Sequence, residues 1–184
     1  MIYGLKSLKL FMVMKVVLII MAAVSRVHGL TLLDPQTSFT RKLAKTHVFG
    51  ILAQMVLSRL SLDRLPHKLN FSLRGMDIPS ISCSSCNANV ESANHIFFEC
   101  IIASDLWNLV YEWCEIPFVQ ALSFEAFKDW LSLWHAPKEK KHRFFIISTS
   151  VLWWLWRFRN SVTFNSQPLR KSDIFDYVRS TSFS

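Results

Sequence analysis

The chain has 184 residues, 51% of them hydrophobic and 14% aromatic, and its formal net charge is +8. This length allows one domain, or a domain with an appendage, around a sizeable core. Only four glycines accompany many Leu, Phe and Trp residues, which favours helices over a turn-rich β fold, and four cysteines in a chain of this length do not indicate a small disulfide scaffold.

Charges are segregated along the chain. Residues 38–74 carry seven Lys or Arg against one Asp, residues 83–135 carry one Lys against seven acids, and residues 136–171 carry eight bases against one Glu. Two basic segments, with net charges of +6 and +7, therefore flank an acidic segment with a net charge of −6. Basic segments attract phosphates or acidic protein partners, and they also occur as solvated helix faces.

The N-terminal segment has the outline of a secretory signal. Three lysines precede an apolar run at residues 16–24, and Gly29 offers a cleavage site. The run is too short to span a bilayer, so no membrane association is expected. A signal would lead to an oxidising compartment, where a zinc–thiolate site is not expected, and the segment therefore conflicts with the cysteine cluster described below.

The predicted fold class is mostly α. The pattern predicts helices over residues 41–62, 67–75 (ended by Gly75), 101–116 (ended by Pro117), 123–134 (N-capped by Ser123), 136–165 (as one helix or two) and 169–180. The expected apolar stripe of the helix after Cys100 is Ile102, Leu106, Leu109, Val110 and Trp113.

The aromatic-rich C-terminal helix carries Trp153, Trp156, Asn160 and Phe164 on one face. This face is expected in the core rather than as a stacking platform for bases, with Asn160 bonded to a backbone group. Arg157 and Arg159 project from other faces and are expected to be able to reach phosphate.

Residues 83–100, CSSCNANVESANHIFFEC, hold three of the four cysteines and a histidine. The spacing Cys83-x2-Cys86-x8-His95-x4-Cys100 predicts a Cys3His zinc knuckle in a reducing compartment, because a C-x2-C turn presents two thiolates to one tetrahedral ion. The alternative is separate buried thiols and a surface histidine. Four protein ligands leave no open position, which makes the predicted zinc structural.

Residues five apart on an ideal helix diverge by about 140°. His95 and Cys100 therefore need a short turn between them, expected at residues 94–98, and a fresh helix after Cys100. The apolar residues 96–98 are expected to pack beside the site, and Cys114 is expected to be a core thiol.

Motifs for catalysis do not accompany this site. A polymerase needs paired carboxylates for two metal ions, and the sequence has no Asp-Asp pair and no glycine-rich phosphate loop. Asp173 and Asp176 are expected on the surface, and the other histidines have no matching partners. We therefore predict that the chain is not an enzyme.

Several short motifs spread over residues 56–184 form a wider pattern. They are Leu65-Pro66, Arg74-Gly75, the C-x2-C pair, Glu91-Ser92, His95-x-Phe-Phe-x-Cys100, Trp107 and Trp153-x-x-Trp156-x-x-Arg159-Asn160. Together they closely resemble the reverse transcriptase zinc-binding domain of plant LINE-type retroelements. The sequence departs from that pattern at Ser58-Arg59, where a Trp-Arg is usual, and in the segment before it.

The resemblance implies a module that follows the polymerase domain of a retroelement polyprotein and precedes a ribonuclease H region. It implies a nuclear or cytoplasmic protein whose leading function is auxiliary nucleic-acid binding. A structural or protein-docking module is the first alternative. A secreted helical protein, which would require cleavage after Gly29 and no zinc, is the second.

The resemblance also suggests an origin for the N-terminal segment. Family members often carry His-Gly-Asp-Glu-Gly-Gly-Leu upstream, and one coding of that peptide, read one base later, gives Met-Val-Met-Lys-Val-Val-Leu, which is residues 12–18. We therefore predict an unmatched, frame-shifted hydrophobic leader at 1–39, a zinc-binding domain at 40–134 and a C-terminal helical extension at 135–184.

Nucleic-acid contacts are expected from the basic segments, because the zinc centre and its acidic surroundings repel phosphate. Nothing in the sequence supplies readout of base edges, so weak binding without sequence preference to RNA or DNA is expected. The candidate contact residues are Arg64, Lys68 and Arg74 before the knuckle, and Lys138, Lys140, Lys141 and Arg143 after it.

Overall fold

The computed structural model describes residues 38–165 and 168–182, with side chains described from Gly50 onward. The predicted leader therefore lies outside the described residues, apart from the first two residues of a helix that begins at Ser38. The chain divides into two units, residues 1–52 and 53–184. The second unit contains the cysteine cluster and the aromatic-rich C-terminal helix.

Six α-helices account for most of the described chain. They are α1 (Ser38–Ser61), α2 (Lys68–Leu73), α3 (Ile101–Trp113), α4 (Phe124–Leu133), α5 (Lys138–Phe164) and α6 (Ile174–Ser182), with a π-helical turn at His95–Glu99 and a 3-10 turn at Lys171–Asp173. The described residues form no sheet, and their one isolated β-bridge joins Ser82 and Val90. The prediction of a mostly α fold is confirmed, and residues 138–164 form one helix rather than two.

No helix in the described part of the chain combines the length and apolar character needed to cross a membrane.

Three helices end on a residue in the left-handed conformation: α1 is followed by Asp63 (φ 45°), α2 by Gly75 (φ 76°) and α3 by Glu115 (φ 52°). After α3, the Ile116 amide donates to the Tyr111 carbonyl oxygen at 3.0 Å and the Glu115 amide to that of Glu112 at 3.1 Å. These paired bonds satisfy carbonyl groups that the helix end would leave free. The predicted stop at Gly75 is confirmed, while α3 ends before Pro117.

Helix α5 is the central element of the 53–184 unit, where it packs against α3, α6 and the π turn. The core is rich in aromatic rings. A continuous aromatic cluster joins α3, α4, α5 and the end of the π turn, with ring centroids 5.4–6.3 Å apart between neighbours, and consists of Phe98, Trp107, Tyr111, Phe127, Trp130 and Phe144. Burying these large rings supplies much of the apolar area that stabilises a small domain.

The buried face of α3 differs from the predicted stripe. Its buried residues are Ala103, Leu106, Trp107, Val110 and Tyr111, whereas Leu109 is 45% exposed. The Trp107 indole donates to the Phe97 carbonyl oxygen at 2.8 Å. This bond and the aromatic cluster place the Trp107 face of α3 in the core. Leu109 lies outside that face and is therefore exposed.

The aromatic face of α5 is in the core as predicted, since Trp153 and Trp156 are buried. The predicted boundary between a zinc-binding domain and an extension, at residues 134 and 135, falls inside the 53–184 unit. The contacts of α5 with the π turn explain why these residues group together.

Candidate metal centre

Four side chains converge at one point beside α3. The ligand atoms of Cys83, Cys86, His95 and Cys100 all lie within 4.8 Å of one another. Cys83, His95 and Cys100 are buried and Cys86 is half-buried, and all four cysteines of the chain are free thiols. Zinc ligands at about 2.0–2.3 Å from a shared ion lie roughly 3.5–4 Å apart, so these side chains need to close only slightly to bind it.

The first two ligands lie on a tight knuckle. The Asn87 amide donates to the Cys83 carbonyl oxygen at 2.8 Å, and Asn87 adopts a left-handed φ of 56° that Asn tolerates well. The Cys83 amide donates to the Asn89 carbonyl oxygen at 2.7 Å, which closes the base of the knuckle next to the Ser82–Val90 bridge. Backbone hydrogen bonds at both ends therefore fix the conformation of the turn that carries the two cysteines.

The π turn presents the other two ligands. The Ser92 hydroxyl accepts from the His95 amide at 3.0 Å, and the Cys100 amide donates to the His95 carbonyl oxygen at 2.8 Å. This i→i+5 bond is the signature of a π turn, whose wider circuit brings residues five apart to the same side. Cys100 is extended, and α3 begins at the next residue. The predicted break between His95 and Cys100 is confirmed, and residues 96–98 are buried.

A hydrogen bond from the Cys100 thiol, together with two backbone amides, favours the thiolate form of Cys83. The Cys100 thiol donates to Cys83, and the amides of Cys86 and Ser85 also point at the Cys83 sulfur, which together lower the pKa of Cys83 to about 5 despite its burial. The same thiol–thiol bond raises the pKa of Cys100. One thiolate is thus already favoured, and a cation is required to hold all three sulfurs as thiolates.

Cys114 is not a member of the cluster. It is half-buried at the end of α3, and burial raises the pKa of its thiol to about 11.

Comparison with protein families agrees with this geometry. Residues 38–107 match the family model described as zinc-binding in reverse transcriptase. The match runs from the start of α1 to Trp107 and includes all four residues of the Cys3His zinc-binding group. No curated protein matches the chain. No solved structure matches it.

A buried ion pair beside the Cys3His group was not predicted from the sequence. Glu91, which is fully buried, accepts from the amides of Lys68 and Ser84, each at 3.0 Å, and from the guanidinium of Arg159. One carboxylate therefore joins the start of α2, the knuckle and α5. The signal available in the sequence was that each charged residue belongs to one of the short motifs, Glu91 to Glu91-Ser92 and Arg159 to Trp153-x-x-Trp156-x-x-Arg159-Asn160.

This pair corrects two predictions for α5. Arg159 is only 2% exposed and cannot reach phosphate, because its guanidinium is bound to Glu91. Within the described residues, the hydrogen bond of the Asn160 side chain is to another side chain rather than to the predicted backbone group, since its oxygen accepts from Arg159 Nη1 at 2.9 Å. Arg157 is exposed, as predicted, and its guanidinium lies 5.4 Å from the Trp154 ring centroid.

The predicted nucleic-acid contacts differ in their exposure. Five of the seven are exposed: Arg64, Arg74, Lys138, Lys140 and Arg143. Lys68 is half-buried and donates to the Ser82 carbonyl oxygen at 2.7 Å, while Lys141 is half-buried and donates to that of Ser132 at 3.1 Å. These two ammonium groups already contribute to the fold of the knuckle and of the end of α4.

Proposed function

We propose that the chain is a non-catalytic accessory module of a plant LINE-type retroelement reverse transcriptase that binds nucleic acid weakly and without sequence preference. The observation that carries the proposal is a closed Cys3His group, matching reverse transcriptase zinc-binding domains, in a chain with strongly basic segments. Four protein ligands fill a tetrahedral zinc and leave no position for a substrate. Thiolate ligands further suit a nuclear or cytoplasmic protein.

The start of α5 is the favoured contact surface. Four bases lie within its first six residues, at Lys138, Lys140, Lys141 and Arg143, alongside the single acid Glu139. The helix has no side-chain cap at its N-terminus. Unpaired amides and the positive end of the helix dipole favour an anion at this helix end. The basic side chains and the backbone amides of the first turns therefore both favour binding of a phosphate group.

Titration of single-stranded RNA with the full chain, at low and at higher salt, tests this proposal. Replacing Lys138, Lys140 and Arg143 by Ala removes exposed charges and keeps the hydrogen bond from Lys141 to the Ser132 carbonyl oxygen of α4. Each lost phosphate contact lowers the slope of log affinity against log salt by ~0.7, so the triple variant should show a slope smaller by about 2.

The matched control replaces Lys128, Arg170 and Lys171, three other exposed bases, by Ala. It changes the net charge equally and should keep most of the wild-type salt slope. Equal losses in both variants would show that only net charge matters, and the absence of wild-type binding at low salt would refute the nucleic-acid proposal.

A protein-docking module is the second candidate. A groove of about 240 Å³ lies between α1, α4 and α5, and its apolar lining includes Leu57, Phe124, Leu131 and Phe145. Such a groove suits an apolar side chain from a partner, for which the polymerase and ribonuclease H domains of a parent polyprotein are the candidates. Failure of RNA binding in the titration would favour this function.

A further inference from the structure

The imidazole of His95 has one ring nitrogen without a partner. Its Nε2 atom lies 3.3 Å from the Cys86 sulfur and therefore faces the metal-binding group. Its Nδ1 atom is buried and is the buried side-chain nitrogen or oxygen, within the described residues, that has no hydrogen bond. A buried polar group without a partner destabilises the folded protein, so its persistence needs a physical reason.

Zinc binding increases the need for a hydrogen-bond acceptor at His95 Nδ1. A neutral imidazole that binds a metal through Nε2 carries its proton on Nδ1, and this N–H becomes more acidic under the influence of the ion. The His95 side chain is only 2% exposed, which keeps bulk water from serving as the acceptor. An acceptor from the protein is therefore needed.

Glu99 is placed to supply that acceptor. Its Oε2 atom lies 4.0 Å from His95 Nδ1, just beyond hydrogen-bond distance, and its side chain is 44% exposed. The two residues are the first and last of the π turn, so the same backbone geometry that aligns His95 with Cys100 also brings Glu99 beside the imidazole.

We propose that Glu99 is a positioning residue for the zinc ligand His95. When zinc is bound, the Glu99 carboxylate accepts a hydrogen bond from the Nδ1–H group of His95. This bond fixes the orientation of the imidazole ring and raises the basicity of its Nε2 atom. Glu99 does not touch the metal. It acts through the imidazole, as carboxylates behind metal-bound histidines do in other proteins.

The experiment compares zinc affinity and the state of the Nδ1 proton in the full chain. Zinc affinity is measured by competition with a chelator, and the Nδ1–H resonance of His95 is followed by nitrogen-15 NMR on zinc-loaded protein. Glu99→Ala should weaken zinc binding by about 10-fold to 100-fold and expose the Nδ1 proton to rapid exchange with water. Glu99→Gln keeps an acceptor oxygen and should show a smaller loss and a protected proton.

Glu112→Ala is the matched control, since it removes an exposed acid from α3 and should change neither measurement. Circular dichroism at saturating zinc checks that each variant is folded. The proposal is overturned if Glu99→Ala binds zinc as tightly as the wild type. It is equally overturned if Ala and Gln weaken binding to the same extent while the Nδ1 proton stays protected, because the effect would then come from charge or helix stability alone.

Discussion

Glu91 and Arg159 form the most consequential contact at the scale of single residues. Burial alone would raise the pKa of Glu91, but the hydrogen bonds and charge of Arg159 and the amides of Ser84 and Lys68 lower it instead. The carboxylate therefore stays ionised inside the protein. Because the partners of this carboxylate belong to α2, the knuckle and α5, loss of either charge should destabilise the packing of all three segments.

Removing one member of this pair should be costly. Arg159→Met leaves a buried carboxylate without its cation, and we expect a loss of about 3–5 kcal/mol in the free energy of unfolding. The double variant Glu91→Gln with Arg159→Met leaves no buried charge and should recover much of that loss. Urea unfolding at saturating zinc measures both.

Lys171→Met is the control for this prediction, because the Lys171–Asp105 pair is roughly half exposed and such surface pairs contribute about 1 kcal/mol or less. An Arg159→Met variant as stable as Lys171→Met would contradict a structural role for the buried pair.

The sequence could not predict this pair from local pattern. The two residues are 68 positions apart. Arg157 and Arg159 lie about 200° apart around the helix and must differ in environment, but arginine is rarely buried, so residue type gave no reason to place Arg159 in the core. The zinc ligands are different in this respect, since all four lie within 18 residues and their spacing alone carries the geometry of the site.

Helix ends decide the path of the chain at the scale of elements. Gly75 was predictable as a stop because glycine adopts positive φ without strain. Asp63 and Glu115 adopt the same conformation with a side chain. Asp is enriched in this conformation, but nothing in the residue type of Glu115 signals it. The π turn was predictable only as a break, because the need for His95 and Cys100 to meet requires a deviation from the α-helix but does not specify which one.

Glu115 is the residue most open to improvement at this scale. A side chain in the left-handed region costs roughly 1–2 kcal/mol, partly offset by the greater freedom of glycine in the unfolded chain, so Glu115→Gly should stabilise the protein by about 1 kcal/mol. Glu112→Gly, inside α3, should destabilise it by about the same amount. The shift of the urea midpoint distinguishes them, and a midpoint lowered by Glu115→Gly would show that the Glu115 side chain makes a compensating contact.

At the scale of the whole molecule, α5 connects the zinc centre to the C-terminal residues. It packs on the π turn, contributes Phe144 to the aromatic cluster and supplies Arg159 to Glu91. The amphipathic patterns predicted the helices themselves, because periodicity reports which face is apolar. They could not predict which helices pack together, since that depends on contacts between segments distant in the sequence.

The central claim is that Cys83, Cys86, His95 and Cys100 bind one structural zinc. Native mass spectrometry of the full chain tests it most directly, because it counts bound metal on folded protein. Wild type and Cys114→Ser should each carry about one zinc ion. A strong chelator should remove this ion, and the helical circular dichroism signal should be lost with it, since ligation supplies folding free energy. Cys83→Ser and Cys100→Ser should carry none. Full zinc content in Cys83→Ser, or loss of zinc from Cys114→Ser, would contradict the ligand assignment.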